Sequence, residues 1–218
     1  MLIWINDIPR DAVTNMALDE LLFNKYNGEP ILRIYYWDSQ YTTIGYFQKA
    51  KDIASGGFVR RFTGGLTVNH CNDISYSFVA SSKNWCVYDQ NMTYRNIHFA
   101  VQKSLQLFGI NSEILTRKAS DVNNICVETF CENDLISNDK KIVGSCLRRR
   151  GNKLIVQGSI YVNLSYSHRE KFSEEFAKCV CQFLKTKIKI YNFCDDDIES
   201  SKKIADKKYL NFEWNNKF

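Results

Sequence analysis

Arg60-Arg61-Phe62-Thr63-Gly64-Gly65-Leu66-Thr67-Val68-Asn69-His70 is the most unusual stretch of this 218-residue chain, and its reading decides the rest. Two guanidinium groups lead into a Gly-Gly pair, and an imidazole follows a short apolar run. Paired glycines let the backbone turn through positive φ and let a ligand approach the main chain. Arginine is the preferred donor to carboxylate or phosphate, because its planar fork bonds two oxygens at once. The stretch therefore predicts a strand, a tight turn and a second strand, built around an elongated ligand with an anionic end. The plainer alternative is a β-hairpin with a basic edge.

Upstream, Leu2–Ile5 and Ile31–Trp37 read as strands on either side of a helix. Thr14 or Asn15 caps that helix, Met16, Ala17, Leu18, Leu21 and Leu22 are its apolar residues, and Gly28-Glu29-Pro30 ends it. Thr42–Tyr46 is another strand, in which Gly45 marks a close backbone approach, and Gly56-Gly57 is a turn. Downstream, Asp73–Ala80 alternates with period two, the mark of a half-buried strand. Ile97, Ala100, Val101, Leu105 and Phe108 recur at helical spacing, which predicts a helix over 93–108 closed by Gly109. Asn111–Leu115 is a short strand, 117–131 an irregular loop, and 134–143 a hairpin turning at Asn138-Asp139. The basic turn Arg148–Lys153 leads to a strand over 154–162. A helix over 170–184 carries Phe172, Phe176, Cys179, Val180 and Phe183, and a charged helical tail follows from 195 to 208. Strands come in runs, so the fold class is α+β: a mixed, largely antiparallel sheet flanked by helices, in a single domain over 1–218.

Composition narrows the function. Hydrophobic residues at 44% and charged residues at 24% are ordinary for a globular chain, and Pro9 and Pro30 are its only prolines. The net charge of +5 suits an anionic ligand or an acidic protein partner, but is too small and scattered to indicate nucleic acid. The eight cysteines include no Cys-x-x-Cys pair, so no metal site is expected. The N-terminus lacks the basic flank and apolar core of a signal peptide, and no apolar run has membrane-spanning length. These features predict free thiols in a reducing cytoplasm, with no membrane partner.

A few side chains could do chemistry. Lys141, set in a hairpin beside Gly144-Ser145, can send its ammonium along the sheet to meet a carboxylate, a phosphate or a developing oxyanion. The plain reading is a solvated turn lysine. Cys126, in a loop, is a candidate thiolate nucleophile if a cation lies near, and Cys131 competes for that role. Otherwise both thiols fill space. His70 reads as a general base or as a partner within the sheet, whereas His98 reads as structural and His168 as a helix cap or a surface residue. Arg148-Arg149-Arg150 is a solvated turn or a docking patch for an acidic partner.

Taken in order, these segments resemble the catalytic domain shared by lipoate–protein ligases and cysteine-type octanoyltransferases, within the biotin/lipoate protein ligase superfamily. The matching segments are Asn15–Glu20, Leu32–Trp37 with Ile44–Gln48, Arg60–His70, Asn133–Leu135, Lys141–Ser145, Gln157–Ile160 and Tyr209–Asn215. The resemblance implies that Arg60, Arg61, Thr63, Gly64, Gly65 and His70 line an acyl tunnel. It implies that Lys141 contacts the acyl carbonyl, and that Gly144, Ser145, Gly158 and Ser159 let backbone donors approach. The product would be an amide on a lysine of a lipoyl domain or a glycine-cleavage carrier protein. In a ligase, ATP and Mg²⁺ activate lipoate or octanoate as an acyl-adenylate; in a transferase, Cys126 carries the acyl group as a thioester and no cofactor is needed. Asn133-Asp134-Leu135 before Lys140-Lys141 looks more like the ligase, which is the expectation here. The position of Cys126 and the segment His70–Tyr76 look like the transferase. Leu66, Cys71 and Gln157 stand where relatives usually have glycine or arginine, an acidic residue and histidine, so a non-catalytic member that binds lipoate or a lipoylated protein is a further alternative. The resemblance further implies, for a chain expected to lack the small C-terminal accessory domain that ligases often carry, a separate accessory chain as a candidate partner.

Overall fold

The computed structural model describes residues 1–53, 57–81, 89–116 and 125–218. Gly56, Cys86 and the predicted loop residues 117–124 lie outside the described residues. The chain runs β1 (Leu2–Arg10), α1 (Ala12–Lys25), β2 (Ile31–Trp37), β3 (Tyr41–Ile44), β4 (Val59–Arg60), β5 (Val68–His70) and β6 (Ile74–Ser81). It continues through α2 (Gln90–Gln106), β7 (Glu113–Ile114), β8 (Leu135–Ser137), β9 (Lys140–Arg150), β10 (Lys153–Ile160) and α3 (Tyr166–Leu184). Last come β11 (Ile188–Ile190), α4 (Asp195–Ile204), a π turn over Ala205–Tyr209 and α5 (Phe212–Asn215). Eight strands form one sheet in the order β11-β1-β2-β6-β10-β9-β8-β7, with β1 parallel to both neighbours and the other pairs antiparallel. A small sheet has the order β4-β3-β5. This is the expected α+β architecture. No helix among the described residues is long and apolar enough to cross a membrane.

The sheet buries both faces, and this corrects one expectation. β6 is buried along its whole length, where its alternation predicted a half-exposed strand. Ile74, Tyr76, Phe78 and Ala80 point to one face, into a core with Ile97, Ala100 and Val101 of α2 and Phe172, Phe176 and Val180 of α3. The polar residues between them face α1 instead of water. Register carries the pattern across the sheet: Ser77 pairs with Arg33 and Gln157, and Gln157 with Cys146. One step along, Ser75 pairs with Tyr35 and Ser159, and Ser159 with Gly144.

Asp19 of α1 gathers this polar face. Its carboxylate, fully buried, accepts from Arg33 Nη1 at 2.8 Å, Tyr35 Oη at 3.0 Å, Ser77 Oγ at 2.7 Å and Gln157 Nε2 at 2.6 Å. Asp7 takes the other side of Arg33 at 2.8 Å. Burying such charges costs several kcal/mol each, which only this degree of pairing offsets.

Local corrections have local causes. β1 runs on to Arg10, so the cap of α1 falls to Asp11, which accepts from Thr14 N. Asn15 instead donates to Arg10 O and Tyr36 O, tying helix to sheet. Helix α3 starts at Tyr166 because Ser165 caps it. The strands flanking Gly64-Gly65 do not pair as a hairpin: β3 lies between them, parallel to β4 and antiparallel to β5. Gly45 does mark a close approach, for a Cβ there would sit 1.8 Å from Gly65 O.

Candidate functional site

An open-ended cavity of about 40 Å³ lies on the α1-facing side of the sheet. Its floor is the polar row just described, Ser75, Gln157, Ser159 and Gly144, and its walls include Met16, Tyr35, Trp37 and Val68. Arg61, Gly65, His70, Cys126, Gly144, Ser145, Gly158 and Ser159 all line it. Arg60, Thr63, Gly64 and Lys141 do not.

Arg60 and Arg61 separate because neighbouring residues of an extended chain face opposite ways. Arg60 turns away from the cavity. Its guanidinium donates to the carbonyls of Gly45, Tyr46, Gln48, Trp214 and Asn215, so it latches the turn to the C-terminal segment. Arg61 turns inward. It donates to Thr43 Oγ1 at 2.7 Å, Leu66 O at 2.7 Å and Gly64 O at 3.1 Å, while its buried Nε has no hydrogen-bond partner among the described residues. The carbonyl of Gly64 thus orients Arg61. Thr63 donates to Gln157 Oε1 at 2.5 Å, behind the floor.

Both nitrogens of His70 are taken. Asp73 Oδ2 lies 2.8 Å from Nδ1, and Thr43 Oγ1 lies 2.8 Å from Nε2. Burial pushes His70 below the ordinary imidazole pKa against the pull of Asp73, so the ring is neutral. Asp73 accepts, so Nδ1 holds the proton and Nε2 accepts from Thr43. Thr43 in turn accepts from Arg61, and Trp37 stacks on the ring at 3.8 Å. His70 therefore orients Arg61 through Thr43 rather than acting as a free base.

Lys141 and Cys126 come together at the mouth of the cavity. Cys126 begins a 3₁₀ turn stapled to the Gly-Gly loop by its own N–H, which donates to Thr67 O at 2.8 Å. Lys141 Nζ reaches across β9 to Cys126 O and Thr129 O, both at 2.9 Å, and to Cys126 Sγ at 3.6 Å. Asp134 Oδ2 holds the same ammonium at 2.7 Å. Gly144 makes this possible: a Cβ there would lie 2.5 Å from Lys141 Cε, 2.9 Å from Nζ and 3.3 Å from Cys126 Sγ. Burial works against the ammonium, but Cys126 and Asp134 outweigh it and its pKa ends above the usual lysine value. Burial likewise pushes the Cys126 thiol up, while Lys141 and Arg61 pull it down without reversing the shift. The resting pair is thiol and ammonium, with two cations ready to stabilise negative charge on sulfur or on an oxygen beside it.

Several contributors escape sequence reading. Thr43, Asp134 and the α1 carboxylate Asp19 are set by tertiary contacts. Cys146 lines the cavity beside Thr63, 3.1 Å away, and Gln157 is a floor residue whose amide is spent on Asp19 and Thr63. The available signal was the small and polar alternation of Ser75, Ser77, Gln157 and Ser159. Cys131 is exposed, and its backbone N–H caps Asp134 at 2.7 Å.

Known proteins bear on this geometry. The chain is 31% identical over 169 residues to "Octanoyltransferase LipM" of Clostridioides difficile, which covers 70% of this chain and 62% of that protein. It is 34% identical over 175 residues to the protein of that name from Oceanobacillus iheyensis, covering 74% and 64%. The chain thus spans a little over three fifths of the length of these relatives. Among solved structures, protein Ta0514 from T. acidophilum with bound lipoic acid superposes with a TM-score of 0.78 at 22% identity, covering 99% of this chain and 98% of that one. A lipoate-protein ligase A bound with ATP gives 0.78 at 22%, covering 99% and 97%. A bi-partite lipoate protein ligase, described with its E2 lipoyl domain, from Thermoplasma acidophilum gives 0.74 at 21%, covering 99% and 95%. The identities of these structures establish likeness of fold. The family profile described as the lipoyl protein ligase A/B catalytic domain matches residues 11–205, and the chain belongs to that family.

Proposed function

We propose that this chain is an acyltransferase that holds an octanoyl- or lipoyl-type group as a thioester on Cys126 and passes it to a carrier-protein lysine. The observation that carries this reading is the Lys141 ammonium 3.6 Å from Cys126 Sγ, a thiol that lines the cavity beside Arg61. Residues 1–218 are read as one catalytic domain. The names of the relatives favour the transferase over the ATP-dependent ligase that the Asn133–Leu135 pattern suggested.

In the first step the sulfur of Cys126 attacks the carbonyl of an acyl thioester. The bond to the donor sulfur breaks, and the donor thiol leaves with the proton that Cys126 gave up. Lys141 stabilises the thiolate, and the unpartnered Nε–H of Arg61 offers a bond to the carbonyl oxygen as it gains charge. In the second step the acceptor amine attacks the Cys126 thioester, the carbon–sulfur bond breaks, and the amine proton returns to sulfur. The acceptor is a lysine of a lipoyl domain or a glycine-cleavage carrier protein. Gly65, Gly144 and Gly158 leave room for the acyl head, with His70, Ser145 and Ser159 beside it.

A ligase reading would require these same residues to hold Mg²⁺ and ATP. A triphosphate needs uncommitted cations. Arg60 is spent on five carbonyls, and Lys141 is spent on Asp134, two carbonyls and sulfur. In this arrangement Arg60 and Lys141 do not fit a nucleotide.

The test supplies purified protein with an octanoyl thioester donor and no ATP. The reading expects an acyl mass on the Cys126 peptide, then transfer to a lipoyl domain, both lost in Cys126→Ser. Product made by Cys126→Ser from lipoate, ATP and Mg²⁺ at the wild-type rate would select the ligase. Binding of lipoate without turnover in either regime would select the non-catalytic alternative.

A further inference from the structure

His98 of α2 is buried and plays no part in the two steps above. Its contacts are specific. Nδ1 lies 2.5 Å from Asn133 O, and Nε2 lies 2.6 Å from Ser145 Oγ. A carbonyl only accepts, so Nδ1 carries the proton. Burial lowers the imidazole pKa, the ring is neutral, and Nε2 accepts from the Ser145 hydroxyl. Ser145 Oγ accepts in turn from Tyr76 Oη at 2.5 Å, so the hydrogen bonds linking Tyr76, Ser145, His98 and the Asn133 carbonyl all run in one direction.

The two anchor points flank the reactive pair. Asn133 precedes Asp134, whose carboxylate holds Lys141. Ser145 follows Gly144, on which Lys141 and Cys126 Sγ both rest. Asn133 is also held at φ 75°, a left-handed conformation that a non-glycine residue keeps only where its surroundings impose it. Its backbone N–H donates to Leu115 O, and Asp134 O accepts from Leu115 N, so the segment is clamped on both sides.

We infer that His98 is a positioning residue: by bracing the carbonyl before Asp134, with the Ser145 hydroxyl only steadying its ring, it fixes the Lys141 ammonium against the Cys126 sulfur. The inference rests on the thioester reading for its functional meaning, but not for its test. The titratable and charged groups around His98 are Tyr76 of β6, Tyr94 of α2, Asp134 before β8 and Lys141 of β9. The last two make up the pair it is proposed to hold.

The experiment measures alkylation of Cys126 by iodoacetamide against pH, read by mass spectrometry on the Cys126 peptide, alongside octanoyl transfer. Asparagine reproduces the donor position of Nδ1, and glutamine reproduces the position of Nε2. His98→Ala and His98→Gln are expected to shift the Cys126 profile up by about one pH unit, roughly tenfold less thiolate at neutral pH, and to lower kcat rather than raise KM. His98→Asn, which keeps the Asn133 contact, is expected to stay within about threefold of wild type, a margin well inside the tenfold that one pH unit represents. A His98→Ala protein with wild-type melting and an unmoved profile overturns the inference. Should His98→Ala not fold, equal profiles in His98→Asn and His98→Gln overturn it. If the profile moves with His98 while Cys126→Ser keeps transfer activity, the thioester reading fails and the positioning role stands.

Discussion

Replacing Gly144 with alanine adds one methyl group at the place where Lys141 crosses to Cys126. Gly144 lies in regular strand backbone, so alanine introduces no strained φ. The new Cβ would meet Lys141 Cε at 2.5 Å, against an ordinary carbon contact of about 3.5 Å, so the side chain must move by about 1 Å. The ammonium has Asp134 at 2.7 Å and two carbonyls at 2.9 Å, and such a shift takes at least one of them to the edge of hydrogen-bond range. Loss of one charge-assisted bond costs about 1.5–3 kcal/mol, which in a chain of this size lowers the melting temperature by roughly 3–12 °C. Catalysis should suffer far more, because misplacing a reacting group by about 1 Å costs on the order of a hundredfold in rate. Transfer of octanoyl from a thioester donor to a lipoyl domain, measured beside thermal unfolding and Cys126 alkylation, checks the argument. A Gly144→Ala enzyme with wild-type transfer and alkylation rates would refute the claim that this crossing sets reactivity.

Other outcomes follow from the buried charges. Asp19→Asn leaves Arg33 buried with part of its compensation gone, and should destabilise by about 3–5 kcal/mol in urea unfolding. Arg60→Lys keeps the charge but cannot span five carbonyls. It should cost about 2–4 kcal/mol, chiefly from carbonyls left without a donor, and chemical denaturation reads this directly. His70 and His98 both have pKa values lowered from 6.5 by burial, so on acidification the unfolded chain takes up their protons first. Their contribution is complete above about 6.5 and is lost as pH falls from there towards the folded values, by at most about 1.4 kcal/mol per pH unit for each ring. Asp7 and Asp73, lowered from 3.8, add a separate loss only below that value. Unfolding midpoints should therefore fall in two stages, and His70→Gln should shallow the first stage and, because His70 helps hold Asp73 down, alter the Asp73 part of the second.

Much of the fold is legible along the chain because strong local signals agree with the tertiary outcome. Ile31–Trp37, the Asn138-Asp139 hairpin and the stripe Ile97–Ala100–Leu105 are apolar patterns that the sheet and helices simply bury. The polar alternation of β6 and β10 misleads, because period two shows that two faces differ, not that one of them is wet. A polar face can be buried if an anion waits for it, and Asp19 comes from a helix far away in sequence. β11 goes unread because its three residues carry no pattern of their own. The Arg60-Arg61 pair shows the same limit: sequence finds two cations at a glycine turn, but only the path of β4 decides which faces the cavity. Lys141 and Cys126 are each visible as candidates. Their meeting depends on Gly144, whose importance lies in the side chain it lacks.

The convergence of four donors on the single carboxylate of Asp19 also constrains how this protein can diverge. A change at Tyr35, Ser77 or Gln157 strands a charge shared with the others, so substitutions there should be tolerated only in combination. Lineages that reshaped the ligand would then have altered the walls, at Met16, Trp37 or Val68, and kept the base intact. Directed evolution of the proposed transfer toward longer or branched acyl groups would progress fastest by randomising those wall positions together.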